Sequence, residues 1–390
     1  MQTRADDWQL LHGAPAQVLG DLPPSTLRSR LGTHIPGLDA LRGFSASIVV
    51  ASHLGLLPGE FGYLGVSIFF AISGFLITWL LLRERDSTGT VSLTAFYARR
   101  SLRIFPAFYV FWILCIVLSQ QIGEPISRRE IWFTFFNFAD YYQALRYLWW
   151  GSLSMMAAAW SLGVEEKFYL IWPAVFRRWR HSSRLLSQIT MATIACVFLY
   201  RVIVWSMHPP YLDYLRYAFE ARLDNIAFGC LLAITVYEGY TTTVITLITN
   251  RALYPAVTLG VLIGAVFIEF ALGSGFFHTV GMTINSILIL ILLIQLVCLA
   301  RTSLRWLEVR PLRWLGRISY SLYLYHLPVI TLVNHYVHAR WRVQLVCSII
   351  LSLLAAVVSR EWIEKPFLRM KERFSMTAPA TSDVREVLAG

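Results

Sequence analysis

Charged residues are scarce in this sequence. Asp, Glu, Lys and Arg together make up only 15% of its 390 residues, whereas hydrophobic residues make up 56%. A soluble domain usually carries about a quarter charged residues, because its surface faces water. The composition therefore excludes an ordinary soluble domain of this length and favours an integral membrane protein.

Cysteines are also few, and none of the five has a partner at a recognisable spacing. Each lies alone inside or beside an apolar run, without a Cys-x-x-Cys or Cys/His pattern. They are Cys115, Cys196, Cys230, Cys298 and Cys347. Because disulfide frameworks and zinc sites need regular cysteine or histidine spacings, we expect neither here, and no bound metal.

The first 34 residues lack the apolar core of a secretory signal peptide, and they contain Asp6, Asp7 and several prolines. We predict that residues 1–34 form a cytosolic tail. At the other end, residues 375–390 are small, polar and proline-containing, which is typical of a disordered tail. A membrane domain is expected between them, at 35–374.

Ten mostly apolar runs follow one another along the chain. Each is about long enough to cross a hydrocarbon core of roughly 30 Å. They lack the period-two alternation of membrane β-strands, so their backbone groups must be satisfied within helices. We predict an all-α, polytopic transmembrane helical bundle of about ten spans, at 36–56, 63–82, 104–122, 160–176, 187–207, 223–238, 253–272, 279–299, 318–338 and 343–363.

A net charge of +11 would also suit a nucleic-acid-binding protein. The arginines and lysines, however, cluster at the ends of the predicted spans rather than along one amphipathic face. The main clusters lie within 83–103, 177–184, 301–317 and 365–373. With ten spans, all four fall on one side of the membrane, and such clusters favour the cytoplasmic side. We therefore expect both termini in the cytosol and no nucleic-acid partner.

Two ionisable residues lie within the first predicted span. Arg42 and His53 are eleven residues apart, so on a helix they share a face about 16 Å apart. Ionisable groups at this depth are costly without a partner and are functional candidates. The alternatives are interface anchoring for Arg42 and a hydrogen-bonded packing role for His53.

Two adjacent carboxylates lie near the start of the fourth predicted span. Glu165 and Glu166 point about 100° apart on a helix, so each can reach a different neighbour. The span count places them at a depth similar to that of His53, and a carboxylate beside an imidazole can orient a general base. We expect one of them to pair with His53; the alternative is an ion pair with Lys167 or Arg222 that only fixes packing.

Three further segments are candidates for binding. Arg100 and Arg103 share one helical face beside the third span, where guanidinium groups could bind phosphate or merely anchor the helix. The tyrosines, serines and histidine of 318–326 favour a polar cavity, although an interhelical hydrogen-bond seam gives the same pattern. The aromatic-rich segment 123–159 is expected to be partly helical at the outer surface, as an interfacial anchor or part of a substrate cleft.

Together these motifs are similar to those of the membrane-bound acyltransferase family 3, whose bacterial members O-acylate glycans such as O-antigen, peptidoglycan and exopolysaccharides. The similarity extends from about Ile35 to Phe374. It rests on the family's Arg-x10-His at Arg42 and His53, its Gly-Val-Asp-x-Phe-Phe-x-x-Ser-Gly at 65–74, its Arg-x-x-Arg at Arg100 and Arg103, its Trp-Ser-Leu-x-Val-Glu-Glu-x-Phe-Tyr at 160–169, its Arg-x-Asp at Arg222 and Asp224, and its Ile-Ser-Tyr-Ser-x-Tyr-Leu-x-His at 318–326.

The resemblance implies an O-acyltransferase of the bacterial inner membrane. Its donor would be acyl-CoA, expected to be acetyl-CoA, with no permanently bound cofactor, and its acceptor a hydroxyl of a glycan or glycolipid. His53, Arg42, Glu165 and Glu166 would be catalytic, with transfer direct or through an acyl-histidine. Donor binding is expected of Arg100 and Arg103, and substrate binding of Ser73, Tyr169, Arg222, Asp224, Tyr323 and His326.

The sequence departs from the family pattern at Ser67, where many members have aspartate, so an acidic role is not expected there. The chain also ends shortly after the tenth predicted span, without the hydrolase-like domain fused to some relatives. We expect transfer to be completed by the membrane domain or by a separate extracytoplasmic transferase. A transporter or flippase of a lipid-linked sugar or acylated product is the alternative, since intramembrane Arg, His and Glu suit it too.

Overall fold

The computed structural model describes residues 37–149, 154–207, 212–239, 247–249, 251, 253–298 and 305–371. Every regular element within these ranges is helical, which confirms the predicted all-α class. The predicted tails at 1–34 and 375–390 lie outside the described residues.

Ten long helices occur in the described ranges, each of 16 residues or more. Each overlaps one of the ten predicted apolar runs. In chain order, the long helices and the shorter ones between them are α1 (Leu38–His53), α2 (Gly59–Thr88), α3 (Leu93–Gln121), α4 (Arg128–Phe135), α5 (Ala139–Leu145), α6 (Ala159–Trp179), α7 (Ser183–Ser206), α8 (Leu212–Tyr217), α9 (Phe219–Glu238), α10 (Tyr254–Leu272), α11 (Met282–Cys298), α12 (Arg310–Tyr336), α13 (Trp341–Val358) and α14 (Lys365–Lys371). A π-helical turn, Phe277–Gly281, precedes α11, and another, Ser359–Glu364, joins α13 to α14.

Several helix boundaries follow from local sequence. The Ser92 hydroxyl accepts a hydrogen bond from the Ala95 backbone N–H and caps the start of α3. Ser182 caps α7 in the same way. The helix α2 ends at Gly89, whose φ of 74° is in the left-handed region that glycine adopts without strain. These short polar breaks separate apolar runs that would otherwise be continuous.

Six helical segments in the described part of the chain are long and apolar enough to cross a membrane. They are 59–88, 93–121, 183–206, 254–272, 277–297 and 341–370. The other four long helices are shorter or more polar: α1 has only 16 residues, and α6 carries Glu165, Glu166 and Lys167. The ten-span count and the cytosolic position of both termini therefore stay predictions.

The four shorter or more polar long helices, α1, α6, α9 and α12, are gathered around α2 in the middle of the bundle. The helix α2 packs against α1 and α9, and α1 also packs against α12. Along α2, residues such as Phe70 and Phe75 are completely buried. By contrast, only 17–22% of the most apolar stretch is buried in the segments 183–206, 254–272 and 341–370, which contain α7, α10 and α13, as expected of lipid-facing helices. In this arrangement Arg42 of α1 and Glu165 and Glu166 of α6 are only partly exposed, whereas His53, the last residue of α1, is exposed.

Glycines allow the central helices to approach closely. A Cβ atom at Gly316 of α12 would lie 1.9 Å from the Asp39 carbonyl oxygen of α1. A Cβ atom at Gly74 of α2 would lie 2.0 Å from the Ile226 carbonyl oxygen of α9. Both distances are sterically impossible, so these helices pack backbone to backbone through small residues. Gly74 closes the 65–74 motif, and its presence there is explained by this packing.

Substitution Gly316→Val is expected to destabilise the bundle by about 3 kcal/mol or more, because the added atoms meet backbone that cannot move aside. The measurement is thermal unfolding of the detergent-purified protein together with its size-exclusion profile. Gly264→Val in α10 is the matched control, since no heavy atom lies within 4 Å of its Cβ position. Equal stability of the two variants would contradict the close packing of α1 and α12.

Candidate active site

A cavity lies between α1, α2, α3, α6 and α12. We call it the basic cavity, because three cationic side chains and one anionic side chain line it. It brings together seven of the twelve predicted site residues: Arg42, Arg100, Arg103, Ser73, Glu165, Tyr169 and Tyr323. Residues from five of the sequence motifs therefore meet in one place.

The arginines of the basic cavity have unused hydrogen-bonding capacity. Arg42 Nε is buried, and no described residue accepts a hydrogen bond from it. The Arg100 guanidinium lies over the Tyr169 ring, with its central carbon 4.9 Å from the ring centroid. Buried donors without acceptors are costly. An anionic ligand with several oxygen atoms would satisfy them and balance the excess positive charge.

The Glu165 carboxylate is held by two hydroxyl groups. Ser73 Oγ donates to its Oε1 at 2.8 Å, and Tyr169 Oη donates to its Oε2 at 2.8 Å. These bonds fix the carboxylate against α2 within the basic cavity. The neighbouring Glu166 points elsewhere, and its buried Oε1 has no hydrogen-bond partner among the described residues. The two carboxylates therefore have different surroundings, as their angular separation on a helix predicts.

A second cavity lies at the other end of α1. We call it the His53 cavity, because His53, the last residue of α1, lines it. Its wall is rich in aromatic side chains and in small residues. Its lining includes Tyr63, Gln143, Ala157, Ala158, Trp160, Tyr217 and Tyr323. Tyr323 thus lines both cavities and lies between them.

The imidazole of His53 contacts another imidazole rather than a carboxylate. His53 Nδ1 lies 3.1 Å from His326 Nε2 and 3.0 Å from the Val49 carbonyl oxygen. Among the described residues, no carboxylate hydrogen-bonds to His53. The expected pairing with Glu165 or Glu166 is therefore corrected. Glu165 lies six residues into α6, about 9 Å along its axis, so it reaches the basic cavity instead of the end of α1.

His326 is completely buried and is absent from the lining of both cavities. We expected it to bind substrate, but its ring nitrogens are occupied by His53 and by the Tyr323 carbonyl oxygen. The two histidines are 273 residues apart in the chain. No local pattern in the sequence could have indicated this contact.

Arg222 and Asp224 of the Arg-x-Asp motif line neither of these two cavities, although the Arg222 guanidinium lies 5.9 Å from the ring centroid of Trp160, which lines the His53 cavity. Asp224 accepts hydrogen bonds from Arg201 at 3.1 and 2.6 Å, and both side chains are completely buried. Arg222 donates to Ser67 Oγ at 2.7 Å and is 1% exposed. The side chains of Arg222 and Asp224 thus make buried, interhelical contacts, and their expected role in substrate binding stays a prediction. Arg201 was not among the predicted site residues, although an arginine within the apolar run 187–207 is a visible signal.

The segment between α3 and α6 covers one side of the His53 cavity. Its helices α4 and α5 agree with the partly helical structure expected for 123–159, and Gln143 of α5 lines the cavity. Lys167 Nζ ties α5 to α6 through Asp140 at 2.7 Å. Glu130 of α4 accepts a hydrogen bond from Ser154 Oγ at 2.6 Å, and burial raises its pKa to about 7. The residues through which this segment lines the His53 cavity are uncharged: Gln143, Ala157 and Ala158.

A family model described as an acyltransferase domain matches residues 35–361. Peptidoglycan O-acetyltransferase OatA of Listeria monocytogenes is 29% identical over 356 residues, which cover 85% of this chain and 56% of that protein. O-acetyltransferase OatA of Staphylococcus aureus is 30% identical over 355 residues, covering 85% and 57%. The chain thus spans little more than half the length of these relatives. No solved structure matches this chain significantly.

Proposed function

Because this chain belongs to the acyltransferase family whose model matches residues 35–361, we propose that it is a membrane O-acetyltransferase that acts on a glycan of the bacterial cell envelope. One observation carries the proposal: a basic cavity and a histidine-containing cavity share Tyr323 as a common wall. An anionic donor suits the first cavity, and an uncharged hydroxyl acceptor suits the second.

The proposed donor is acetyl-CoA. Its phosphates would bind Arg100 and Arg103, because guanidinium groups bind phosphate oxygens in bidentate geometry. Arg42 also lines the basic cavity and would contact the pantetheine arm. Arg42 and His53 are about 16 Å apart along α1. The arm would therefore extend past Tyr323 and span this distance, so that the thioester lies at His53.

The proposed acceptor is a glycan or glycolipid hydroxyl in the His53 cavity. Its rings Tyr63, Trp160 and Tyr217 offer flat faces on which a sugar could stack. His53 Nε2 takes the hydroxyl proton while the hydroxyl oxygen bonds to the thioester carbonyl carbon. The carbon–sulfur bond breaks, and the departing CoA thiolate takes the proton from His53. The histidine is neutral again, and the products are an acetyl ester and free CoA.

The proposed orientation follows from the charge distribution. The N-terminal end of α3, which carries Arg99, Arg100 and Arg103, would face the cytosol, where acetyl-CoA is made and positive residues are favoured. His53 would then lie toward the outer face of the inner membrane. Ten spans would result if α1, α6, α9 and α12 cross the membrane inside a sheath of more apolar helices.

A thioester assay distinguishes this enzyme from the transporter alternative. The purified protein in vesicles is given acetyl-CoA and a peptidoglycan or polysaccharide fragment, and free thiol and ester-bearing product are measured. The proposal requires thiol release and acetyl ester in equal amounts. A transporter or flippase would move its cargo without producing thiol, and that result would overturn the enzymatic proposal.

We expect Arg100→Gln and Arg103→Gln each to raise the KM for acetyl-CoA about tenfold, because a hydrogen bond to a charged group contributes about 1.5 kcal/mol or more. The measurement is initial rates of thiol release. The same variants should have unaltered KM with acetyl-pantetheine, which lacks the nucleotide phosphates. Arg178→Gln is the control, since this exposed arginine lies near the same end of the bundle.

An unchanged KM for acetyl-CoA in both variants would contradict the phosphate-binding role. An equal rise with acetyl-CoA and acetyl-pantetheine would contradict it too, because it would indicate a general distortion of the basic cavity.

A further inference from the structure

The contact between His53 and His326 determines where the protons of both rings lie. His326 Nδ1 is 2.6 Å from the Tyr323 carbonyl oxygen, and a carbonyl oxygen can only accept a hydrogen bond. His326 Nδ1 therefore carries a proton. In a neutral imidazole the other nitrogen is then an acceptor, so His326 Nε2 presents a lone pair to His53.

The same reasoning applies to His53. Its Nδ1 lies 3.1 Å from the His326 lone pair and 3.0 Å from the Val49 carbonyl oxygen. Both neighbours are acceptors, so His53 Nδ1 must be the protonated nitrogen. A second proton on His326 would make its Nε2 a hydrogen-bond donor. That donor would face His53 Nδ1, which is itself a donor because it lies beside the Val49 carbonyl oxygen. Complete burial of His326 also disfavours a cationic ring.

We propose that His326 is a positioning residue that holds His53 in the tautomer with a free lone pair on Nε2. The chain of contacts runs from the Tyr323 carbonyl through His326 to His53, and His53 lines the cavity in which the acceptor would bind. His326 thus takes the place that a carboxylate takes beside many catalytic histidines. The effect of this tautomer on catalysis rests on the proposed function, whereas the contacts that fix the tautomer do not.

Tyr323 joins this arrangement to the donor side. Its backbone carbonyl fixes the His326 ring, while its side-chain hydroxyl, at the wall between the cavities, accepts a hydrogen bond from Ser161 and donates to the Ala158 carbonyl. When His53 Nε2 takes a proton, Nδ1–H stays hydrogen-bonded to His326. No proton leaves through His326, because its own Nδ1 proton is already held by Tyr323.

The first test is nitrogen NMR of the wild-type protein in nanodiscs, with 15N-labelled histidine. The His53 signals are identified by their loss in His53→Gln. The expected result is a protonated Nδ1 and an unprotonated Nε2. The opposite tautomer, with the proton on Nε2, would overturn the proposal without any measurement of activity.

The second test compares two replacements of His326. Leucine removes the acceptor, so His326→Leu should lower kcat about 100-fold and give a mixture of His53 tautomers, with the KM for acetyl-CoA changed less than twofold. A glutamine side chain can place its amide oxygen near the position that Nε2 of His326 occupies in the wild type, where it would accept the hydrogen bond from His53 Nδ1. His326→Gln should therefore keep the His53 tautomer and recover kcat to within about tenfold of wild type.

His335→Leu, at an exposed histidine of the same helix, is the control and should behave as wild type. A His326→Leu protein with normal kcat and tautomer would overturn the proposal. Folded glutamine and leucine variants with equal kcat and equal tautomer mixtures would overturn it as well. If the wild type has the expected tautomer but releases no thiol from acetyl-CoA, the proposed function fails while the positioning of His53 stands.

Discussion

Replacement of His53 by glutamine is expected to lower the kcat of acetyl transfer by a factor of about 10²–10⁴, the usual contribution of a general base. Glutamine keeps a polar side chain of similar length but cannot take a proton from a hydroxyl group. The KM for acetyl-CoA should change little, because the donor's phosphates would bind at the basic cavity, which His53 does not line. The measurement is thiol release with membranes that contain equal amounts of each variant.

The control for this substitution is His338→Gln, since His338 is exposed and lies beyond α12. Wild-type kcat in His53→Gln would mean that the catalytic assignment is wrong. Loss of kcat in both variants would instead indicate a general sensitivity of the protein to histidine replacement. A normal rate of His338→Gln is therefore needed before the first result is interpreted.

The helices could be predicted from the sequence because each apolar run leaves a local signal. A run of about twenty apolar residues must be helical in lipid, and its ends are set by nearby glycines, serines and charges. The common face of Arg42 and His53 also followed from spacing along a single helix. Membrane crossing did not follow in the same way for α1, α6, α9 and α12, because α1 has only 16 residues and because ionisable side chains occur within the other three helices.

Contacts between helices could not be predicted in the same way. Sequence spacing fixes positions along one helix, but not its rotation or its height relative to a neighbour. Glu165 was therefore placed beside His53, whereas it lies against Ser73 and Tyr169 in the basic cavity. The contact of His53 with His326 depends on the close approach of α1 and α12, which Gly316 allows.

A second large effect is expected for Asp224→Asn, which should destabilise the protein by about 3–5 kcal/mol. The completely buried Asp224 is the carboxylate partner of Arg201, and its loss would leave Arg201 and Arg222 as buried cations. Thermal unfolding in detergent measures the change. A substrate-binding role would instead raise the KM for the acceptor at unchanged stability. Asp86→Asn is the control, because that carboxylate is 36% exposed, so loss of its ion pair with Arg85 should cost less than about 1 kcal/mol.

A compensating substitution makes this prediction more specific. Ser67 Oγ is 2.7 Å from Arg222 Nη2, at the position where many family members have aspartate. Ser67→Asp would therefore place a carboxylate beside Arg222 and should recover part of the stability lost in Asp224→Asn, because breaking a buried pair is costly chiefly through the unpaired charge. Failure of this rescue, with normal folding of Ser67→Asp alone, would contradict the charge balance. Rescue would show that, in the part of the chain that the structure describes, the buried Arg201 and Arg222 depend on Asp224 for charge balance, and that this carboxylate stabilises the packing of α9.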